Sequence, residues 1–209
     1  MRYDWMDAYL LQKRGVSKDF QPVWNWIRYQ VGGKMFAAIC LDKQGEPYYI
    51  NLKVDPAEGE WLRGQYADML PGYYSDGRNW ISVKPNGQVP DALLRELLDK
   101  ARNLMLSSFS KKRQREILGL SVCGTDCQTC ALYDQRCPGC NAGNGKVVHA
   151  SAGKSCPIYA CCVNRHHFVN CQACETLPCA LWQTVRDPAA DDAAFAESIR
   201  VRLANLKGG

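Results

Sequence analysis

The residues best equipped for chemistry in this chain are its cysteines, and their spacing points to metal. Of twelve cysteines, all but Cys40 fall between Cys123 and Cys179. Cys123, Cys127 and Cys130 run C-x3-C-x2-C, and Cys137 and Cys140 form C-P-G-C. After a glycine-rich interval come Cys156, the adjacent Cys161 and Cys162, the C-x2-C of Cys171 and Cys174, and Cys179. A C-x2-C turn sets two sulfurs on one side of a tight loop, where both reach one ion. Two such turns close a tetrahedral thiolate site.

Thiolates at these spacings hold either zinc or an iron–sulfur cluster. C-x3-C-x2-C is also the cluster motif of radical enzymes, but those need a large barrel that 209 residues with this pattern do not supply. Zinc, about two ions, is the expectation; an iron–sulfur or thiol-based redox protein is the alternative. Disulfides would need an oxidising compartment. The N-terminal stretch MRYDWMDAYLLQKR has acids and aromatics where a signal peptide has an apolar region and a cleavage site. A reducing, cytoplasmic setting is therefore expected, and no apolar run is long enough to span a bilayer.

The composition is globular, 46% hydrophobic and 22% charged. The formal net charge of +5 counts every cysteine as neutral. Two four-thiolate zinc sites would add about eight negative and about four positive charges, leaving roughly +1. Charge alone thus argues only weakly for a polyanionic partner.

These cysteines follow a segment with ordinary hydrophobic patterning. Residues 3–14 form an amphipathic helix, and the polar VSKDFQP after Gly15 reads as a loop. Residues 23–31, 34–41 and 48–54 read as three strands joined by short turns, an antiparallel meander. Asp55-Pro56-Ala57-Glu58 starts a helix that would bury Trp61, Leu62 and Met69. Tyr73-Tyr74 and residues 79–84 read as short strands around Asp76-Gly77. From Pro90-Asp91, the recurrence of Leu94, Leu97, Leu98, Ala101, Leu104 and Met105 gives a helix to about Phe109. The fold class expected is α+β. An α-βββ-α-ββ-α domain with an antiparallel sheet spans residues 1–112. A small, cysteine-rich, metal-stabilised module with a C-terminal helix spans residues 113–209. That helix, residues 191–206, offers Phe195, Ile199, Val201 and Leu203 for contact. The module has few large aliphatic residues, so metal is expected to stand in for a core. No internal repeat is read.

Val31-Gly32-Gly33-Lys34-Met35-Phe36, Asn51-Leu52-Lys53-Val54-Asp55-Pro56, Pro71-Gly72-Tyr73 and Asn79-Trp80-Ile81-Ser82-Val83 occur in one order and spacing. Over roughly residues 3–112 they resemble the MmcQ/YjbR family. The resemblance implies the same α-βββ-α-ββ-α order and a double-wing arrangement often described as DNA-binding. Family members commonly carry histidines where this chain has Tyr74 and Asn79, so no role of those histidines carries over. The second half resembles a cysteine-rich family of unknown function whose members look like zinc-binding proteins. Its pattern implies Cys123, Cys127, Cys130, Cys137, Cys140, Cys156, Cys161, Cys171, Cys174 and Cys179 as metal ligands, and leaves Cys162 extra. Ten such cysteines suit two four-thiolate sites with two left over, or a shared site using His149, His166 or His167. His166 and His167 either complete a site or flank it.

Other candidates have weaker claims. Cys40 in an apolar strand reads as a small buried hydrophobe. Trp24 and Trp26 would share a strand face, as a base-stacking platform or as sheet core. Lys111, Lys112, Arg113 and Arg115 form a basic linker that either meets phosphates or is solvated. Lys34 and Lys53 sit on adjacent strands and would mark a basic groove. No histidine occurs before residue 149, and no Ser-His-Asp set, phosphate loop or dinucleotide fingerprint is seen. The expectation is a non-catalytic binding protein with structural zinc, its candidate partners being DNA or another protein rather than a membrane.

Overall fold

The computed structural model describes residues 1–150, 153–187 and 189–207. The chain divides into two units, Met1–Phe109 and Ser110–Gly209.

In the first unit α1 (Met6–Leu11) is followed by β1 (Val16–Gln21), β2 (Trp26–Val31), β3 (Lys34–Leu41) and β4 (Pro47–Lys53). Then come α2 (Pro56–Gln65), β5 (Met69–Pro71), β6 (Trp80–Val83) and α3 (Asp91–Ser107). The strands form one antiparallel sheet in the order β1-β2-β3-β4-β6-β5. α3 packs on one face, against β2, β3 and β4, burying Leu94, Leu97, Leu98 and Ala101. The class is α+β as expected, but the order is α-ββββ-α-ββ-α.

The additional strand is VSKDFQ, which the sequence reading leaves as a loop. It pairs with β2 from Val16↔Val31 to Gln21↔Trp26. As an edge strand it buries little, so no apolar alternation marks it. Side-chain pairs hold it instead: Asp19 takes a two-pronged bond from Arg28 (2.8 and 2.5 Å), and Lys18 reaches Asp7 at 2.8 Å. Two further expectations need correction. The short strand before β6 is Met69–Pro71, not Tyr73-Tyr74, which lies in the following turn with Tyr74 left-handed (φ 46°). β2 begins at Trp26 because Asn25 is itself left-handed (φ 58°).

At α2, Asp55 caps the helix by accepting from the N–H groups of Ala57 (3.0 Å) and Glu58 (3.3 Å), with Pro56 in the first turn. Leu62 and Met69 are buried as expected, but Trp61 is exposed. Gly59, an unusual residue for a helix interior, is there for packing: a Cβ would stand 2.8 Å from Val54 Cγ1.

The family-like segments meet around one buried polar knot. Asn51, fully buried on β4, donates from Nδ2 to the Tyr73 carbonyl (2.7 Å) and accepts from Ser82 Oγ (2.5 Å). The Tyr73 N–H closes the circuit by donating to Ser82 Oγ at 2.7 Å. This knot ties the Pro71-Gly72-Tyr73 turn to β4 and β6. Asn51→Leu leaves a buried carbonyl and a buried hydroxyl without their partners. Urea unfolding should show a loss of about 2–4 kcal/mol, while a loss below about 0.5 kcal/mol would mean the knot is incidental.

The second unit is built of short pieces. α4 (Lys111–Leu118) is capped by Ser110 and ended by left-handed Gly119. α5 (Gly139–Ala142), α6 (Pro157–Tyr159, continued by a π turn to Arg165), α7 (Ala180–Thr184) and α8 (Asp192–Lys207) follow. The basic stretch read as a linker is thus the start of a helix. α8 buries Phe195, Arg202 and Leu206, with Ile199 and Leu203 partly buried; Val201, expected inside, is exposed. The buried set follows the helical period of 3.6, and Val201 falls off that stripe.

Candidate metal centre

The core of the second unit is sulfur-rich. Cys140, Cys156, Cys162 and Cys171 are buried with Val122, Ile158, Tyr159, Trp182 and Leu206. All twelve cysteines are free thiols. Cys40 stands apart in the first unit, 1% exposed, its thiol pushed up to about 12 by burial, as befits a small hydrophobe.

Two C-x2-C turns share one local structure. Asp126 precedes Cys127-Gln128-Thr129-Cys130, and Asn170 precedes Cys171-Gln172-Ala173-Cys174. In each, the Asp or Asn side chain accepts from the glutamine N–H at 3.0 Å, and a 3-10 turn follows. The last cysteine's N–H then returns to the first one's carbonyl, at 3.2 and 3.0 Å. Asx capping of a tight turn needs this short side chain ahead of the turn. The sequence reading finds no repeat; this brief one, D-C-Q-T-C against N-C-Q-A-C, is visible once the turns are superimposable in kind.

The thiols fall into two adjoining groups. In the first, Cys127 is pushed up by burial and by the neighbouring Cys123, Cys137 and Cys130 sulfurs. Burial likewise takes Cys140 up to about 12, with Cys123, Cys127 and Cys156 adding to it. The Cys137–Cys140 turn lies directly over Cys127: a Cβ on left-handed Gly139 (φ +74°) would be 3.6 Å from Cys127 Sγ. The second group lines a narrow cleft formed by Cys161, Cys162, Cys171, Cys174 and Cys179, with His166 and Trp182 among its walls. Cys162 and Cys171 face each other closely enough that their contact pulls Cys162 down and pushes Cys171 up.

Several donors point at these sulfurs. Burial raises the Cys123 thiol, but the Ser121 and Thr125 hydroxyls (3.3 and 3.5 Å), Arg202 and the Thr125 N–H bring it below its ordinary value. The Thr176 hydroxyl (3.4 Å) and N–H lower Cys174. The Cys140 N–H bears on Cys127, and the Val122 N–H on Cys140. Such donors favour thiolate, the form that binds metal.

Two buried guanidiniums complete the setting. Arg115 is 5% and Arg202 is 8% exposed, and among the described residues neither has a carboxylate partner. Arg115 donates to the carbonyls of Phe168 (3.4 Å) and Val169 (3.5 Å), leaves Nε unbonded, and bears on Cys162. Arg202 lies over the Trp182 ring at 4.6 Å and bears on Cys123. Trp182 Nε1 is buried with no partner in hydrogen-bond geometry, and the sulfur it comes nearest to satisfying is Cys171. Among the described residues no three histidine, cysteine or acidic side chains are gathered as a formed ion site. The donor set nonetheless fits a soft thiophilic cation: thiols in number, N–H and O–H groups aimed at sulfur, and orphaned buried donors beside them.

The remaining candidates are distributed as follows. His149 is exposed; so are His166 and His167, and His166 stacks on Phe168 at 5.3 Å. Arg115 turns inward, and of the exposed Lys111, Lys112 and Arg113 the first donates to the His167 carbonyl and the last pairs with Glu116 at 3.0 Å. Lys34 goes to Ser108 and the Phe109 ring while Lys53 lies over Trp80, so they do not form one groove. Trp24 and Trp26 do not make a shared platform. Trp26 is sheet core, and Trp24 is half-exposed in the preceding turn and meets it edge-on at 5.5 Å. With Val23, Met35, Tyr74 and Ser75 they line an open cleft of about 510 Å³ in the first unit, which no sequence signal marks.

Gly124, between Cys123 and Thr125, is where the C-terminal helix meets the sulfur groups. Its φ is +80°, and a Cβ would sit 2.3 Å from the Arg202 carbonyl oxygen. Gly124→Ala should cost about 2–4 kcal/mol and speed amide exchange across residues 192–207. Unchanged exchange there would show that α8 does not depend on this contact.

A YjbR family model matches residues 11–104, ending short of the cysteine module. The uncharacterized protein YbdF of Escherichia coli O157:H7 is 34% identical over 89 residues, 43% of this chain and 71% of that protein. The uncharacterized protein YjbR of Escherichia coli K12 is 22% identical over 112 residues, covering 54% and 93%. The crystal structure of Deinococcus radiodurans DR2400, with a DUF419 domain, has 28% identity and a TM-score of 0.49 over 54% of this chain and 84% of its own. Through its first unit, this chain belongs to the YjbR family.

Proposed function

We propose that this is a non-catalytic binding protein in which a YjbR unit meets a partner and a cysteine-rich unit is held together by structural zinc. The observation that carries the zinc reading is the pair of buried, carboxylate-free guanidiniums, Arg115 and Arg202, each bearing on a cysteine. A buried cation without a counter-ion costs several kcal/mol (order of magnitude). A thiolate site, whose net charge with one zinc is negative, supplies the missing charge. Zinc adds no redox chemistry; it would fix the fold of a unit whose interior is short of large aliphatic side chains. The resemblance of the second half to a cysteine-rich, zinc-binding family belongs to the same proposal.

Elemental analysis of the protein purified without chelator should find about two zinc ions per chain, and the protein should be colourless. A brown protein absorbing near roughly 400 nm, with iron in place of zinc, would establish the iron–sulfur alternative instead. A metal-free, folded protein would end both readings.

DNA is the first partner to test, because of the family resemblance and the exposed aromatic rings of the first unit. Trp24 and Tyr74, 51% and 85% exposed, offer faces on which bases stack. Arg115 is a poor probe, being buried, and Lys111 is engaged with a carbonyl. The informative variant therefore joins Lys112→Ala, Arg113→Ala and Trp24→Ala. It should weaken a low-salt mobility shift at least about tenfold. No shift by the parent protein at low salt removes DNA and leaves a protein partner.

A further inference from the structure

The geometry points to Cys162, the cysteine outside the family-like pattern, as the fourth ligand of a second, separate ion held with Cys171, Cys174 and Cys179. This inference rests on the zinc reading above and assigns the members of one site.

Three observations carry it. The first is the equivalence of the two Asx-capped C-x2-C turns. One, Cys127–Cys130, has a companion C-x2-C turn, Cys137–Cys140, packed over it. Its counterpart, Cys171–Cys174, has no companion turn; the thiols that share its cleft are Cys161, Cys162 and Cys179. A turn presenting two sulfurs needs two more donors to close a tetrahedral site. Cys179, five residues on, lines the same cleft and supplies one.

The second is the choice between Cys161 and Cys162. Adjacent residues on a π turn project roughly 80° apart, so they do not point equally at one centre. Cys162 is 3% exposed and packs in the same buried cluster as Cys171, whereas Cys161 is only half-buried and stands outside that cluster. Of the pair, Cys162 is the one directed at the turn.

The third is what surrounds the cleft. Trp182, in the wall of the cleft, is fully buried, and its Nε1–H has no hydrogen-bond partner. This orphaned donor stands in the wall of the cleft beside Cys162 and Cys171, as the outer hydrogen-bond partner of a thiolate site does. The cleft holds about 20 Å³, room for one water-sized particle. That suits a single ion. His166 stands at the rim, exposed and stacked on Phe168, a flank rather than a ligand.

The test is metal stoichiometry on the folded, full-length chain, by elemental analysis and native mass spectrometry, with zinc as the probe. Cys162→Ser, nearly the same shape without the thiolate, should fall from about two ions to about one. Cys179→Ser should do the same, and Cys161→Ser should keep both. Two ions in folded Cys162→Ser would overturn the assignment while leaving the zinc reading in place. If Cys162→Ser does not fold, the other two variants decide. Loss of an ion in Cys161→Ser, or retention of both in Cys179→Ser, overturns the proposed ligand set. A parent protein without zinc would instead defeat the underlying reading, so the two failures are distinct.

Discussion

Arg115 and Arg202 are buried in a unit whose interior is otherwise mostly hydrocarbon, aromatic rings and sulfur. Much else in the second unit follows from that constraint. Removing a guanidinium from water is strongly unfavourable unless it is bonded and balanced by negative charge. Arg115 obtains two weak carbonyl bonds and Arg202 a carbonyl and a ring face, but neither meets a carboxylate among the described residues. The charge of each favours the thiolate of a cysteine, Cys162 for Arg115 and Cys123 for Arg202. A core of this composition is coherent when some of its sulfurs are thiolates and poorly balanced when all are neutral thiols. Electrostatics and coordination chemistry therefore ask for the same thing at the same place.

The two units solve the problem of internal order differently. The first has ample aliphatic and aromatic material, so its sheet and α3 form a conventional core. Its buried Asn51, with Ser82 and Tyr73, is fully bonded and pins a turn, while its one buried guanidinium, Arg102, donates to the Arg14 carbonyl at 2.6 Å. In the second unit short helices and capped turns have little apolar area with which to specify one arrangement. Glycines at positive φ let backbone approach sulfur at Gly139 and let α8 approach the Cys123 turn at Gly124. Close approach replaces bulk as the source of specificity there.

Much of the first unit is legible from patterning. The 3.6-residue recurrence of Leu94, Leu97, Leu98 and Ala101 marks α3, and Asp55-Pro56 marks the start of α2. VSKDFQ was not legible as β1, because an edge strand held by Asp19–Arg28 and Lys18–Asp7 has no buried face to alternate with. Tyr73-Tyr74 reads as the strand before β6 because aromatic residues favour strands. Tertiary context puts those rings in a turn and gives the ladder to Met69–Pro71. In the second unit Phe195 was legible as a buried position on α8. Arg202 was not, since a charged residue is buried only when something outside its own helix compensates it.

From the sequence alone came the identity of the donors: a run of thiols spaced as C-x2-C turns in one half of the chain, and a segment patterned for an α+β sheet in the other. Those are local properties, set by residue type and by separations of a few residues. Only the tertiary structure decided that Cys162 faces Cys171 while Cys161 is less enclosed. It also decided that Arg115 turns inward from a run that reads as solvated, and that Trp182 brings an unsatisfied indole to the sulfurs. These depend on contacts between residues tens of positions apart, and no spacing rule encodes which side of a helical turn will face a distant loop.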